Sequence, residues 1–463
     1  MSALVPPPFS SAARPDRRSR SDARLDPVRD KVLRGERLSL ADGDLLYTTP
    51  DLHSVLALAD IVRRRLHGTN AHYNVNRHLN YSNVCALSCK FCEFYRKKDD
   101  AGAYTRDMDY VRAEARKAVE AGATEIHSVG GLHPYLPFSY YTDLISTIRD
   151  EAARLGSDLH VKAFTAVEIV HLAKIAKVYK GATDFSDAGR QARLDGIRWV
   201  LEHLKQAGLG SLPGGGAEVF DDRVHDEAYK GKIRSDVWLD VHRVAHEIGL
   251  NTNATILYGH IESRRERLVH MDMLRTAQDE ALGRLRKWQS GTVAEWQSAP
   301  ESEPITLTKP GTPLPEKVVF AARDAHRATP NPAPAPGYFQ TIIPLPFFPD
   351  GCDLEHLPGP GGLENYRTLA IARLMLDNFP HVKAFWIMQT LPMAQLMLES
   401  GADDLDGTVV WYDITHVGGA STHQEVDVWA LQKAIREAGF IPVERDTLYR
   451  RVVRNADRWH VEA

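Results

Sequence analysis

Between His78 and Tyr412 the chain repeats one pattern, a short apolar or alternating run followed by an amphipathic segment of helical length. The runs are His78–Val84, Thr124–Val129, Leu159–Thr165, Gly208–Leu212, Thr252–Tyr258, Phe339–Leu345, Val382–Met388 and Thr408–Tyr412. Strands joined through helices run parallel, because each crossover returns the chain to the same end of the sheet. Eight such units predict an α/β protein built on a (β/α)8 barrel of the TIM type. The expected divisions are a disordered tail over 1–25, a helical layer over 26–70, a first barrel part over 71–283, a Pro-rich insertion over 284–337, and the rest of the barrel with a C-terminal region over 338–463. Nine prolines between Pro300 and Pro336 mark the insertion, around a helical candidate at Lys317–Ala328.

Composition removes several classes of function. A chain of 463 residues, 43% hydrophobic, can bury a large core. Lys and Arg number 57 against 61 Asp and Glu, a net charge of -4 that gives no electrostatic case for nucleic acid or an anionic membrane as partner. No run of about 18 apolar residues suggests a membrane span. The first residues are rich in Pro, Ser and Arg, but Asp16, Asp22 and Asp26 argue against an organelle transit peptide and for a disordered tail. Four cysteines, three of them within eight residues, read as ligands in a reducing cytoplasm and not as a disulfide framework.

Those three, Cys85, Cys89 and Cys92, have the spacing C-x3-C-x2-C and directly follow the first strand candidate. They should therefore lie on the loop at its C-terminal end, the catalytic face of a βα barrel. Three thiolates ligate three irons of a [4Fe-4S] cluster and leave the fourth iron open. An open iron can take the amino and carboxylate groups of S-adenosylmethionine (SAM) and set its sulfonium beside a one-electron donor. Two rivals stay open at this point. A structural zinc would add His72 or His78 to the thiolates, on a spacing uncommon for zinc. An electron-transfer cluster would need Cys352, far downstream.

The segments Asn80-Tyr81-Ser82-Asn83-Val84-Cys85 and Phe91-Cys92-Glu93-Phe94-Tyr95-Arg96 resemble the cluster loop of the radical SAM enzymes of menaquinone and deazaflavin biosynthesis. His127 to Pro134, Lys162 to Glu168, Asn253 to Glu262 and His416 to Ala420 resemble the aminofutalosine synthases in particular. The resemblance implies that Phe91 lies near the adenine, that Gly130 and Gly131 meet the methionyl amino group, and that Glu168 contacts the nucleoside or methionyl part. It also implies a reaction: the 5′-deoxyadenosyl radical adds to 3-[(1-carboxyvinyl)oxy]benzoate, and rearrangement with decarboxylation gives aminodeoxyfutalosine, SAM being consumed as co-substrate. A low-potential donor such as flavodoxin or ferredoxin would supply the electron. The substrate carries two carboxylates, for which Arg96, His133, Lys162 and His260 are candidate partners; Glu218 and Asn253 are further candidates at strand ends. The related cyclase of the same pathway, the deazaflavin synthase subunit, and a non-catalytic iron–sulfur or zinc protein are the alternatives.

Overall fold

The computed structural model describes residues 21–290, 334–409, 425–455 and 458–462. The strands are β1 (Asn70–Asn74), β2 (Asn76–Leu79), β3 (Glu125–Ser128), β4 (His160–Ala163), β5 (Ser211–Leu212), β6 (Asn251–Tyr258), β7 (Phe339–Pro346), β8 (His381–Val382), β9 (Asp404–Gly407), β10 (Ile441–Glu444), β11 (Val452–Asn455) and β12 (Arg458–Val461). β2 to β8 form one parallel sheet in chain order, each followed by helix, as βα alternation requires. β1 runs into β2 after the single residue Val75. β9 pairs in parallel with β1 and bridges to β8 through Lys383 and Asp404, so the strands close into a ring. The Ala384 amide donates to the Asp404 carbonyl (2.8 Å) and the Thr408 amide to that of Asn74 (3.2 Å), so hydrogen bonds run on either side of β9.

The last two strand windows need correction. Of Val382–Met388, only Val382 lies in a strand, and Trp386–Gln389 is a helical turn. The closing strand is Asp404–Gly407, earlier than the expected Thr408–Tyr412, of which 410–412 lie outside the described residues. Asp-Leu-Asp-Gly does not read as a strand because alternation searches penalise acids. Here cations make the acids buriable: Asp404 meets Arg445 at 2.7 Å and Asp406 meets Lys383 at 2.9 Å. β10 extends β1 along its other edge, and β11 and β12 form an antiparallel hairpin.

Three helices, Asp26–Arg34, Leu40–Thr48 and Leu52–His67, cover one side, the last packed on helix Gly362–Met375. Ser39 and Asp42 form a capping box that starts the second. Leu25, within the expected tail, is buried. The helix Arg264–Gln289 continues past 284, and Trp288 packs in a small cluster with Tyr338. The candidate helix Lys317–Ala328, the motif His416–Ala420 and residues 1–20 of the expected tail lie outside the described residues. Among the described residues no helix is long and apolar enough to cross a membrane.

Candidate active site

The loop after β2 folds back on itself: the Cys85 amide donates to the Arg96 carbonyl (3.0 Å) and the Arg96 amide to the Asn83 carbonyl (2.9 Å). Cys85, Cys89 and Cys92 are free thiols lining one cavity of about 300 Å³. The amides of Leu87 and Leu132 both point at Cys85 Sγ, each at 3.4 Å. Such N–H···S contacts are a feature of cluster thiolates, so the donor set fits a [4Fe-4S] group held by three cysteines. Cys352 does not join them; its thiol donates to the Pro349 carbonyl (3.1 Å). His72 lies in β1, towards the opposite end of the barrel, and His78 lines the cavity, but among the described residues neither histidine groups with the thiols at metal-ligand spacing.

Gly130 and Gly131 line the cavity, and the reason for glycine is steric. A Cβ on Gly131 would lie 2.3 Å from the Val84 carbonyl oxygen, and one on Gly130 would lie 2.8 Å from that of Ser82. The bare backbone lets the end of β3 lie against the cysteine loop, where the Gly131 amide bonds the Ser82 carbonyl (2.8 Å). Glu168 joins the same corner. Its Oε1 accepts from Tyr81 Oη (2.8 Å) and the Gly130 amide (3.0 Å), and its Oε2 from the Thr165 amide (2.7 Å) and hydroxyl (2.8 Å). One carboxyl thus caps the helix and lines the cavity, and burial pushes it up to about 7. Phe164 and Glu218 take left-handed φ values of 63° and 46° at neighbouring strand ends, strain of a kind that collects at functional sites.

Lower in the cavity the lining turns polar. Lys162 faces inward, as strand alternation suggests, but it is already paired with Glu125 (2.6 Å). Lys383 on the next layer holds Asp406, and Lys232 holds Glu218 while lying over the Phe91 ring at 4.9 Å. Burial works against the Lys232 charge, yet the Glu218 carboxylate beside it keeps the ammonium above the usual lysine range. His78 and His127 meet edge to face with centroids 4.5 Å apart. Burial lowers His78 to about 4 and holds His127 well below the usual imidazole range, so both are neutral at pH 7. Asn253, Thr255 and Leu257 of β6 share the cavity face, and Leu345, Phe347 and Phe385 supply an apolar wall.

Three expected carboxylate partners are elsewhere. Arg96 clasps its own loop through the carbonyls of Glu93 (2.6 Å) and Tyr95 (2.8 Å). The His133 ring accepts the Tyr135 amide (3.2 Å), and its carbonyl bonds His171 (3.0 Å). The His260 ring is fully buried between the Leu257 carbonyl (3.2 Å) and Glu262 (3.4 Å). Arg96 closes the cysteine loop, and His133 and His260 lie just beyond the ends of β3 and β6, where turns need such anchors, and sequence position alone does not separate anchor from ligand. Lys232 comes from a loop and Lys383 from just past β8, with no motif around either, while His78 was weighed only as a rival zinc ligand and His127 only as the first residue of a resembling segment; the inward face of β2 and β3 was the signal that could have found both histidines.

A family profile described as the radical SAM superfamily matches residues 79–274, and one described as the CofH/MqnC C-terminal region matches 335–456. An aminodeoxyfutalosine synthase from Thermus thermophilus is 38% identical over 93% of this chain and 96% of its own length. The chain belongs to the radical SAM enzymes, in the family that includes aminodeoxyfutalosine synthase. This radical SAM enzyme is also 30% identical, over 88% of its length and 91% of the relative's, to a 5-amino-6-(D-ribitylamino)uracil–L-tyrosine 4-hydroxyphenyl transferase from Methanopyrus kandleri. Its fold is that of the FeFe-hydrogenase maturase HydG from Carboxydothermus hydrogenoformans, with a TM-score of 0.59 at 16% identity over 92% of this chain and 80% of the maturase. Family membership implies a [4Fe-4S] cluster and SAM, and the cysteine loop of this radical SAM enzyme has the donors for the former.

Proposed function

We propose that this enzyme makes aminodeoxyfutalosine for menaquinone biosynthesis, joining the deoxyadenosyl carbon of SAM to 3-[(1-carboxyvinyl)oxy]benzoate, with rearrangement and loss of carbon dioxide. The observation that carries the reading is the 38% identity to the Thermus thermophilus synthase over nearly both whole chains, against 30% to the tyrosine-using transferase. Cys85, Cys89 and Cys92 would hold a [4Fe-4S] cluster, which when bound would supply the electron for reductive cleavage of SAM.

The chain's own residues then bind and orient. The Gly130–Gly131 backbone and Glu168 receive the methionyl ammonium, and Phe91 lies against the adenine. An ammonium has three donors, so Lys162, Lys232 and Lys383 can each keep one carboxylate partner and still bond a second. These lysines receive the two substrate carboxylates, with the neutral His78 and His127 donating beside them and Asn253 fixing the ring. Leu257, Leu345, Phe347 and Phe385 exclude water, which keeps the radical from unwanted hydrogen donors and holds the vinyl carbon within about 3–3.5 Å of C5′. Exposed Lys90, Lys97 and Lys98 beside the cysteine loop suit an acidic low-potential donor such as flavodoxin or ferredoxin.

The test is an anaerobic assay of reconstituted protein with reductant, SAM and 3-[(1-carboxyvinyl)oxy]benzoate, read by mass spectrometry beside a Cys89→Ala control. Aminodeoxyfutalosine from the wild type alone is the expected result. Deoxyadenosine without the coupled product would reject the substrate, and coupling of tyrosine with a ribitylaminouracil would select the second relative's reaction instead.

A further inference from the structure

At the end of the barrel where the strands begin, away from the cysteine loop, three imidazoles surround one carboxylate. His67 ends the helix Leu52–His67, His72 lies in β1, His381 opens β8, and Asp403 immediately precedes β9. Asp403 Oδ2 is 2.6 Å from His381 Nδ1, 3.3 Å from His72 Nδ1 and 3.5 Å from His67 Nε2. The four atoms all lie within 4.8 Å of one another. Four ligands at zinc-to-nitrogen distances around a tetrahedron stand about 3.3 Å apart. Two of the three measured edges match that length, and the third has contracted to an ordinary hydrogen bond.

The other oxygen of the carboxylate is already fixed. Asp403 Oδ1 accepts from Arg373 Nη2 (2.5 Å) and the Val382 amide (2.8 Å), which turns Oδ2 towards the three rings. Outer hydrogen bonds of this kind orient a carboxylate ligand. The Asp403 side chain is fully buried, while those of His67, His72 and His381 are 11%, 13% and 12% exposed, so an ion can arrive from solvent and end in a dry site.

We propose that His67, His72, His381 and Asp403 form a structural site for a divalent transition cation of the zinc type. Three imidazoles and a carboxylate are borderline-soft donors suited to zinc and its neighbours, not to calcium or magnesium. Four protein ligands leave no open position, which separates this centre from a catalytic one. The cation ties a helix end to β1, β8 and β9, the strands at which the barrel closes, with a bridge between Lys383 and Asp404. Two features oppose it. His67 Nε2 donates to the Pro380 carbonyl (2.8 Å), His72 Nδ1 to the Asp403 carbonyl (3.1 Å) and His381 Nδ1 to Asp403 Oδ2 (2.6 Å), so all three rings change tautomer on binding, and the Arg373 cation shares the carboxylate. Uptake is therefore reversible by chelators.

The test uses cluster-loaded, chelator-dialysed protein titrated anaerobically with Co(II) and then Zn(II). The expected result is one Co(II) per chain with tetrahedral d–d absorption and no thiolate charge-transfer band, its displacement by Zn(II), and a rise in Tm. The double variant His72→Ala/His381→Ala should lose uptake with its iron content unchanged. His67→Ala, which removes only the ring on the helix end, should weaken Co(II) binding by at least about tenfold with an unchanged circular dichroism spectrum. Absence of uptake by the folded wild type overturns the proposal. So does a thiolate band, which would put the ion on the cysteine loop, and so does uptake unaffected by His67→Ala.

Discussion

Glu168 sits where helix capping and the proposed SAM site meet, and its protonation is the residue-scale quantity most open to measurement. Its carboxyl rises from 4.5 to about 7 because burial disfavours the charge. The sign follows from linkage: the folded chain holds a proton that the unfolded chain has lost between those two values. The resulting stability is complete below pH 4.5 and is lost as pH rises through 7, to a total of about 3 kcal/mol. Urea melts of wild type and Glu168→Gln between pH 4.5 and 8 should converge as pH rises, the wild type losing stability faster; parallel curves would contradict the shift. A bound methionyl ammonium favours the ionised carboxylate, so wild-type SAM affinity should also increase through pH 7. Sequence reading singled out Glu168 from a family likeness, yet its four hydrogen bonds show why a helix-start acid and a site acid could not be told apart there. His260 lay in an equally suggestive stretch, and its ring is spent on the Leu257 carbonyl.

At the scale of elements, the active site depends on two strand ends lying backbone to backbone. The Gly131 position leaves no room for a methyl group because the Val84 carbonyl, immediately before Cys85, would be 2.3 Å away. Gly131→Ala should therefore displace the cysteine loop and leave the barrel intact: iron content and absorbance near ~400 nm should fall severalfold, with circular dichroism unchanged. Full iron loading in that variant would show that the loop tolerates displacement. The βα alternation made six of the seven strands of the main sheet legible, because each apolar run is bounded by turns and followed by a helix-length segment. The closing strand was misplaced for an electrostatic reason, since Asp404 and Asp406 become strand residues only opposite Arg445 and Lys383. No local window contains those partners.

Over the whole molecule, the N-terminal helices are fastened to the barrel by a buried cation. Arg37 reaches Asp279 at 2.5 Å and Asp377 at 2.9 Å, and is itself 5% exposed. Arg37→Ala leaves Asp377 buried without that partner and should cost about 3 kcal/mol, read as a lower urea midpoint. A midpoint within error of wild type would mean that apolar packing alone holds the layer. The sequence by itself determined the alternating architecture, the three-cysteine loop and the family, because strand period, helix period and ligand spacing are local properties of the chain. Only the tertiary structure decided which polar residues face the cavity, where the barrel closes, and that His67, His72, His381 and Asp403 converge at its other end. Those depend on side chains as far as 336 residues apart coming within a few ångströms, and burial then fixes their charge and partners.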